Sequence, residues 1–333
     1  MVPYLTEEFG NANSLHGWGS KAREAVEKAR AQVAALVGAE DPSQIYFTSG
    51  ASEANNWIVR STRSGLVSPF EHSSLIEPAK ANGWRVWENC GAELERNPET
   101  SDITSLMAVN NETGTCWDIR DYPVSGAIHV DATQIVGKLP FAVQGLSYAS
   151  MSAHKLYGPK GVGALYCEGL PPTPLIQGGE QEHGFRSGTS NVPGIVGFGA
   201  AAELAAAEMK ENEDQARQLR DLLLYELRDV PDWKILGGPK TSPFILSITV
   251  TGVEGETLVI EADRRGYALS SGAACSSHST EPSHVLQALD VQGPDLRGAI
   301  RISFGKSNSN ESTAGLALTL AQSIEMVRTM TGT

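Results

Sequence analysis

Ala127-Ile-His-Val-Asp131 and, one strand further on, Ser150-Met-Ser-Ala-His-Lys-Leu-Tyr-Gly-Pro-Lys-Gly161 decide how this chain is read. The first is an apolar run, Ala127–Val130, that ends in a carboxylate. The second continues a strand candidate, Ser147–Met151, into a lysine flanked by small and hydroxyl residues. A glycine-rich turn, Gly158–Gly163, then leads to another strand candidate, Ala164–Cys167. An acid at one strand end and an amine just past the next are the charged groups that pyridoxal phosphate (PLP) requires. The Lys155 amine can form a Schiff base, and the Asp131 carboxylate can keep the pyridine nitrogen protonated so that the ring accepts electrons from a substrate carbanion.

Outward from this pair, strand-like and helix-like segments alternate, which predicts an α/β architecture. Ala22, Ala25, Val26, Ala29, Val33, Leu36 and Val37 recur at helical spacing and mark a helix from about Lys21 to Val37, ended by Gly38. Ile45–Thr48 reads as a buried strand that turns through Thr48-Ser-Gly-Ala-Ser52 into a helix over Glu53–Arg60. Leu106–Val109 is a further strand candidate. Gly194–Val230 is strongly helical, its apolar character weakening after Met209, and a large domain is expected to give way to a smaller one along it. Beyond the turn-rich Pro231–Pro243, Phe244–Val250 and Ile300–Ser303 read as strands, and Glu256–Arg265 and Ser312–Met330 as helices.

The chain has 333 residues, 41% of them hydrophobic, enough for one large domain and a smaller one. A formal net charge of −13 argues against nucleic acid as a primary ligand, since phosphate contacts need clustered Lys and Arg. The four cysteines, Cys90, Cys116, Cys167 and Cys275, form no CxxC pair and no dense framework. The first three are expected as small, mostly buried residues, and this usage fits a reducing cytoplasm. No basic-then-apolar leader and no uninterrupted apolar run of about 18–20 residues stands out, so neither export nor membrane insertion is expected, and no metal site is called for.

Around the cofactor pair, Thr48-Ser-Gly-Ala-Ser52 places glycine and small hydroxyls at a helix start, where backbone N–H groups and the helix dipole favour an anion. Ser152 and His154, beside Lys155, suit the same phosphate. Asp131 has a plain alternative, a cap for Ala132–Val136. Gln134, three residues on, can donate to the phenolic oxygen of PLP. His72, in Pro69-Phe-Glu-His-Ser-Ser74, is an ordinary histidine or a ring-stacking, proton-exchanging one. Cys275 lies in a loop of small residues, Ser270–Ser279, expected to move; its thiol is structural or reactive, and composition alone does not choose.

The runs Phe47-Thr-Ser-Gly-Ala-Ser-Glu53, Val109-Asn-Asn-Glu-Thr-Gly114, His129-Val-Asp-Ala-Thr-Gln134, Ser152–Gly161, Arg186-Ser-Gly-Thr189, Ser270–Cys275 and Arg301-Ile-Ser-Phe-Gly305, in that order, closely resemble the cysteine desulfurases of the NifS/IscS type, PLP enzymes of fold type I. The resemblance runs from about Phe9 to Gly305. It implies a large domain over 10–208 with a central, mostly parallel sheet flanked by helices. A smaller α+β domain over 209–333 would carry the cysteine loop, with residues 1–9 near it.

By the same resemblance Lys155 is the Schiff-base lysine, Asp131 the pyridinium partner, Gln134 the phenolic-oxygen contact and His72 the stacking residue and proton handler; His278, by its closeness to Cys275 in sequence alone, is a weaker proton-handling candidate. Ala51, Ser52, Ser152 and His154 match phosphate binders. Thr189 matches a threonine that reaches the phosphate of the neighbouring subunit, implying a homodimer. Asn111 matches a group near cofactor and substrate, and Arg301 a clamp for the substrate carboxylate. The implied reaction turns L-cysteine into L-alanine, with the sulfur held as a persulfide on Cys275 and passed to an acceptor protein, an iron–sulfur scaffold or a thiolation factor. The family's opening strand and Asp-Asn-Ala-Ala-Thr-type segment have no counterpart ahead of Met1-Val-Pro-Tyr-Leu5, which leaves substrate-site closure open. Ser52 stands where threonine is usual, and Asn11-Ala-Asn-Ser14 replaces an Asn-Pro-Ser-Ser stretch. The rival readings are selenocysteine lysis or transamination on the same scaffold, the latter opposed by Cys275, and a non-catalytic scaffold of a sulfur-transfer system.

Overall fold

Buried apolar runs alternating with amphipathic helices build two units in this computed structural model, which describes residues 1–96, 100–272 and 282–331. The first comprises Met1–Trp87, Arg96–Ala108 and Asp118–Met209, the second Glu88–Glu95, Val109–Trp117 and Lys210–Thr333. Residues 1–9 thus belong to the first unit, and two short excursions out of the first half of the chain belong to the second.

In chain order the first unit begins with α1 (Pro3–Thr6), α2 (Gly17–Val37), β1 (Ile45–Thr48), α3 (Ala51–Ser61), β2 (Gly65–Val67), α4 (Ser73–Ala81) and β3 (Arg85–Val86). The hairpin β4 (Asn89–Cys90) and β5 (Glu93–Leu94), part of the second unit, intervenes. Then come β6 (Ile103–Ser105), β7 (Ala127–Asp131), β8 (Tyr148–Ser152), β9 (Gly163–Cys167) and the long helix α5 (Val192–Glu226), inside which the division between units falls. Seven strands form one sheet in the order β1-β9-β8-β7-β6-β2-β3. Neighbours are parallel except at β9, which runs antiparallel to both β1 and β8.

Local sequence explains these elements. In α2 the residues Ala22, Val26, Ala29, Val33 and Val37 recur at three- and four-residue spacing and are all buried. Its end is set by Gly38, whose φ of 68° is costly for any residue with a Cβ. β1 is buried along its whole length because both of its faces are covered. Side chains alternate across a strand, and here Tyr46 meets Trp57 of α3 edge-on at 6.3 Å while Phe47 meets Phe198 of α5 at 6.4 Å. The sheet is therefore sandwiched between helices.

Trp57 is 1% exposed and its Nε1 donates to the Thr173 carbonyl at 2.9 Å. Trp57→Ala is expected to cost about 3–5 kcal/mol of unfolding free energy, as large-to-small core changes do, read as a lowered midpoint in chemical denaturation with little change in slope. An unchanged midpoint would remove Trp57 from the core's supports.

β1 is also an edge strand, and its outer side is occupied. Arg30 Nη1 donates to the Ile45 carbonyl at 2.6 Å, and Glu182 accepts from the Phe47 N–H at 2.9 Å. The two side chains pair at 2.7 Å with 4% and 6% of their surfaces exposed. Burial works against the Arg30 charge, but the hydrogen bonds and charge of Glu182 outweigh it and hold the guanidinium protonated.

The second unit carries a four-stranded antiparallel sheet, in the order β10-β11-β13-β12, built from β10 (Trp233–Leu236), β11 (Ile245–Val250), β12 (Ser270–Ser271) and β13 (Ala299–Ser303). The helices α6 (Gly255–Asp263), α7 (His284–Ala288), α8 (Pro294–Arg297) and α9 (Asn310–Thr331) complete it, and α6 packs on α9 and on β12 and β13.

Several expectations shift. The strand expected at Leu106–Val109 is β6, three residues earlier: Ile103–Ser105 pair with β2 and β7, whereas Leu106–Val109 are buried beyond the ladder. Trp233–Leu236 lies in the stretch expected to be turns and is a strand, because it pairs with β11. Of the cysteines expected as buried, Cys167 is buried, Cys116 half-buried and Cys90 exposed, on the two-residue strand of a hairpin. The α5 helix is long and apolar enough to cross a membrane by length and composition. Its Val192, Ile195, Phe198, Ala202 and Ala205 are buried within the first unit, so it passes that test as a core helix does.

Candidate active site

The strand registers align Thr48 of β1 with Gly163 of β9, Gly163 with Ser152 of β8, and Ser150 of β8 with Asp131 of β7. The carboxyl ends of β1, β8 and β7 therefore lie side by side, the place where open α/β sheets bind ligands. Close approach is built in: a Cβ on Gly163 would lie 2.4 Å from the Met151 carbonyl oxygen and 2.6 Å from the Gly50 Cα.

Beyond β1 the chain turns at Gly50, φ 155°, into α3, whose N-terminus has no side-chain cap. The Ala51 N–H donates to Ser152 Oγ at 2.8 Å, joining two of the expected phosphate binders. Ser52 is exposed on the first turn of α3. Lys155 sits half-buried on the single turn Ala153–Leu156 that follows β8, next to the exposed His154. Burial, together with the charges of Lys155, Lys160 and Lys138, lowers the His154 basicity. Those three cations give the strand end a positive field, suited to a phosphate. Gln134 accepts from Lys138 Nζ at 2.9 Å through its Oε1, which leaves its NH2 as the donor side.

Asp131 is 4% exposed. Its Oδ1 accepts from the Thr133 N–H at 3.0 Å and its Oδ2 from Asn55 Nδ2 at 2.8 Å, and it makes no ion pair with Lys or Arg among the described residues. The expected alternative, a cap for Ala132–Val136, holds only for the Thr133 contact, since 133–136 form a turn and no helix.

Two further titratable groups surround Asp131 and were not singled out from sequence. Glu71 is fully buried and accepts from Ser68 Oγ at 2.8 Å and from the Met107 N–H at 2.6 Å. Burial, with the Asp131 charge beside it, pushes its carboxyl up to about 8 against those hydrogen bonds. His129 is fully buried between Ser105 Oγ and Ser150 Oγ, each 2.9 Å from a ring nitrogen, and burial pushes it down to about 4 although Asp131 pulls the other way. For both groups burial favours the uncharged form.

A buried carboxylate without a cation is costly, and a protonated ring nitrogen is the partner that would repay it. The uncapped α3 start, the hydroxyl of Ser152 and the lysine field supply the complementary anion site. The residues present therefore fit PLP. His72 is the exposed N-cap of α4.

Thr189 is exposed, just beyond Arg186, whose guanidinium pairs with Glu53 of α3 at 2.8 and 3.0 Å. Asn111 and Arg301 belong to the second unit, where Arg301 Nη1 donates to the Asn111 carbonyl and Nη2 to Ser270 Oγ, both at 2.9 Å. The Arg301 Nε is buried without a hydrogen-bond partner among the described residues. The guanidinium lines a cavity with Glu112, Ser247, Ser271 and Leu286. An orphaned donor there suits a substrate carboxylate. Cys275 and His278, the expected nucleophile and the weaker proton handler, lie outside the described residues.

The sequence pattern of the family described as "Aminotransferase class-V" matches residues 1–314. The chain is 37% identical to "Cysteine desulfurase IscS 1" of Archaeoglobus fulgidus, over 99% of this chain and 94% of that protein. It is 40% identical to "Cysteine desulfurase" of Cereibacter sphaeroides, over 91% and 86%. Among solved structures a "NIFS-LIKE PROTEIN" superposes with a TM-score of 0.88 at 34% identity, covering 98% of this chain and 94% of the other.

Proposed function

Since the chain belongs to the aminotransferase class-V family and is a PLP-dependent cysteine desulfurase, we propose that its residues divide the work as follows. Lys155 Nζ would anchor PLP, and its amine would take the Cα proton of the substrate. Asp131 holds the pyridine nitrogen in its protonated form, Gln134 donates to the phenolic oxygen and His72 lies against the ring. Ala51, Ser52, Ser152 and His154 hold the phosphate, and Thr189 reaches the phosphate of a second copy in a homodimer. Asn111 lies near cofactor and substrate, and Arg301 binds the carboxylate of L-cysteine. The observation that carries this reading is the buried carboxylate of Asp131, with no Lys or Arg paired to it among the described residues, beside the strand that delivers Lys155.

PLP, when bound, supplies the electron sink that lets the Cα proton leave and the Cβ–S bond break. The chain supplies the nucleophile. The Cys275 thiolate attacks the substrate sulfur, an S–S bond forms on Cys275, the Cβ–S bond breaks with its electron pair left on the carbon side, and a proton added at Cβ and one returned to Cα complete L-alanine. The persulfide then passes to an acceptor, an iron–sulfur scaffold protein or a thiolation factor, and the unpaired cysteine usage supports a cytoplasmic setting.

The test is paired release of sulfide and alanine from L-cysteine in the presence of a thiol reductant, with L-selenocysteine run alongside. Equimolar products from L-cysteine support the reading. Alanine from selenocysteine alone would replace it with selenocysteine lysis.

Arg301→Lys is expected to raise KM for cysteine about tenfold or more, with a smaller change in kcat. A point charge cannot replace a planar fork, and a charge-assisted hydrogen bond contributes about 1.5–3 kcal/mol. Steady-state kinetics decides this, and an unchanged KM would take the carboxylate contact away from Arg301.

A further inference from the structure

We propose that Asn55 is a positioning residue of this site: its one amide group holds the Asp131 carboxylate and, through Ser74, sets which nitrogen of His72 carries the proton. The inference rests on reading Asp131 and His72 as the groups that meet the PLP ring.

Asn55 lies on α3 and is fully buried. Its Nδ2 donates to Asp131 Oδ2 at 2.8 Å and to Ser74 Oγ at 3.1 Å, which uses both amide hydrogens. Its Oδ1 is buried with no partner among the described residues. The amide orientation follows from chemistry: an ionised carboxylate only accepts, so the NH2 must face it and the oxygen must point away. A buried amide oxygen left without a partner costs about 1–3 kcal/mol. A side chain kept for packing alone would be better replaced by an apolar one of similar shape. The arrangement makes sense for a residue whose two donors are both required.

The second donor reaches His72. Ser74 Oγ accepts from Asn55 Nδ2, and its own hydrogen is free to reach His72 Nδ1, 2.9 Å away. The Ser74 backbone N–H also points at Nδ1, at 3.1 Å. With two donors converging on it, Nδ1 is the unprotonated nitrogen and the His72 proton sits on Nε2. Protonating Nδ1 would require the Ser74 hydroxyl to turn away and the N–H contact to break. The side of His72 away from α4 is therefore fixed as a hydrogen-bond donor.

The order Asp131–Asn55–Ser74–His72 joins the acid expected behind the pyridine to the imidazole expected against its face, by way of two neighbouring helices. Two other titratable groups face Asp131: Glu71, from the loop before α4, and His129, from β7 itself. Burial favours the uncharged form of each. Asn55 and the Thr133 N–H are then the donors that fix the carboxylate.

The test uses PLP-loaded enzyme labelled with 15N-histidine, His72 being assigned by the signals that vanish in His72→Gln, together with a pH titration of the visible cofactor band. In the parent, His72 is expected in the Nε2–H form. Ser74→Ala is expected to give a mixed tautomer signal while leaving the visible band in place. Ser74→Thr, which keeps the hydroxyl, is expected to restore the parent signals. Asn55→Leu is expected to change the His72 signals and also to displace the midpoint of the visible band by about half a pH unit or more, since a donor to a carboxylate has been lost.

Parent-like His72 signals in Ser74→Ala would overturn the proposal, whatever happens to thermal stability. So would an unmoved band midpoint in folded Asn55→Leu. If Asn55→Leu does not fold, the Ser74 pair decides alone. The underlying reading fails separately, and visibly, if the cofactor band of the parent survives in Lys155→Ala.

Discussion

Lys155→Ala is expected to strip the protein of its visible cofactor band and to lower cysteine turnover by about 10^2–10^4-fold or beyond, the range associated with losing a positioned proton-transfer group, compounded by the loss of the anchoring amine. The substitution should leave the fold intact. The turn that carries Lys155 is held by its backbone and by its neighbours: the Ala153 N–H bonds to the Val162 carbonyl at 3.2 Å, the Gly158 N–H to the Ala153 carbonyl at 2.9 Å, and Leu156 is buried. Lys155 itself is half-buried at a position with no special backbone demand, so alanine fits. Absorbance spectra after incubation with PLP, and sulfide release, check both halves. A variant that kept its band and its turnover would mean that the amine is elsewhere, and the assignment of Asp131 and Gln134 would fall with it.

Cys275→Ser should separate cofactor chemistry from sulfur transfer. The visible band is expected to remain, because none of the cofactor contacts assigned above uses that thiol. Sulfide release from L-cysteine is expected to fall by about two orders of magnitude or more, since a serine hydroxyl is a far weaker nucleophile at neutral pH than a thiolate and cannot form the S–S bond that stores the product. The informative comparison is sulfide release against band intensity on the same preparation. Full turnover in the serine variant would assign the sulfur-accepting role to another group.

The parts of the fold that were legible in the sequence are those where local signal and tertiary outcome coincide. Ile45–Thr48 is apolar enough to be covered on both faces, and α2 has a clear apolar stripe and a glycine stop. The parts that were not legible depend on pairing. Gly65–Val67 has three residues and no alternation, and becomes β2 only because β3 and β6 flank it. The apolar run Leu106–Val109 drew attention from the less apolar Ile103-Thr-Ser105, which is the segment in register with β7. α4 escaped because Pro78 lies inside it.

The site divides in the same way. Lys155 and Asp131 were visible as an amine and an acid at successive strand ends. Asn55 was not, although a signal was present: it is a polar residue among Ala51, Ala54 and Ile58 on the buried side of α3. A polar group on an apolar face predicts a buried partner, but not which one; naming Asp131 and Ser74 required the third dimension. Glu71 adjoins His72 in sequence, yet its environment is set by Asp131 and the Met107 N–H, from segments that sequence spacing does not bring near.

The Arg30–Glu182 pair reaches further than the loop it fastens. By giving the Ile45 carbonyl a donor and the Phe47 N–H an acceptor, the two side chains imitate the rung that an eighth strand would have supplied. A border already bonded in this way offers no template to a passing polypeptide, so the pair acts as a guard against sheet-to-sheet clumping at high protein concentration.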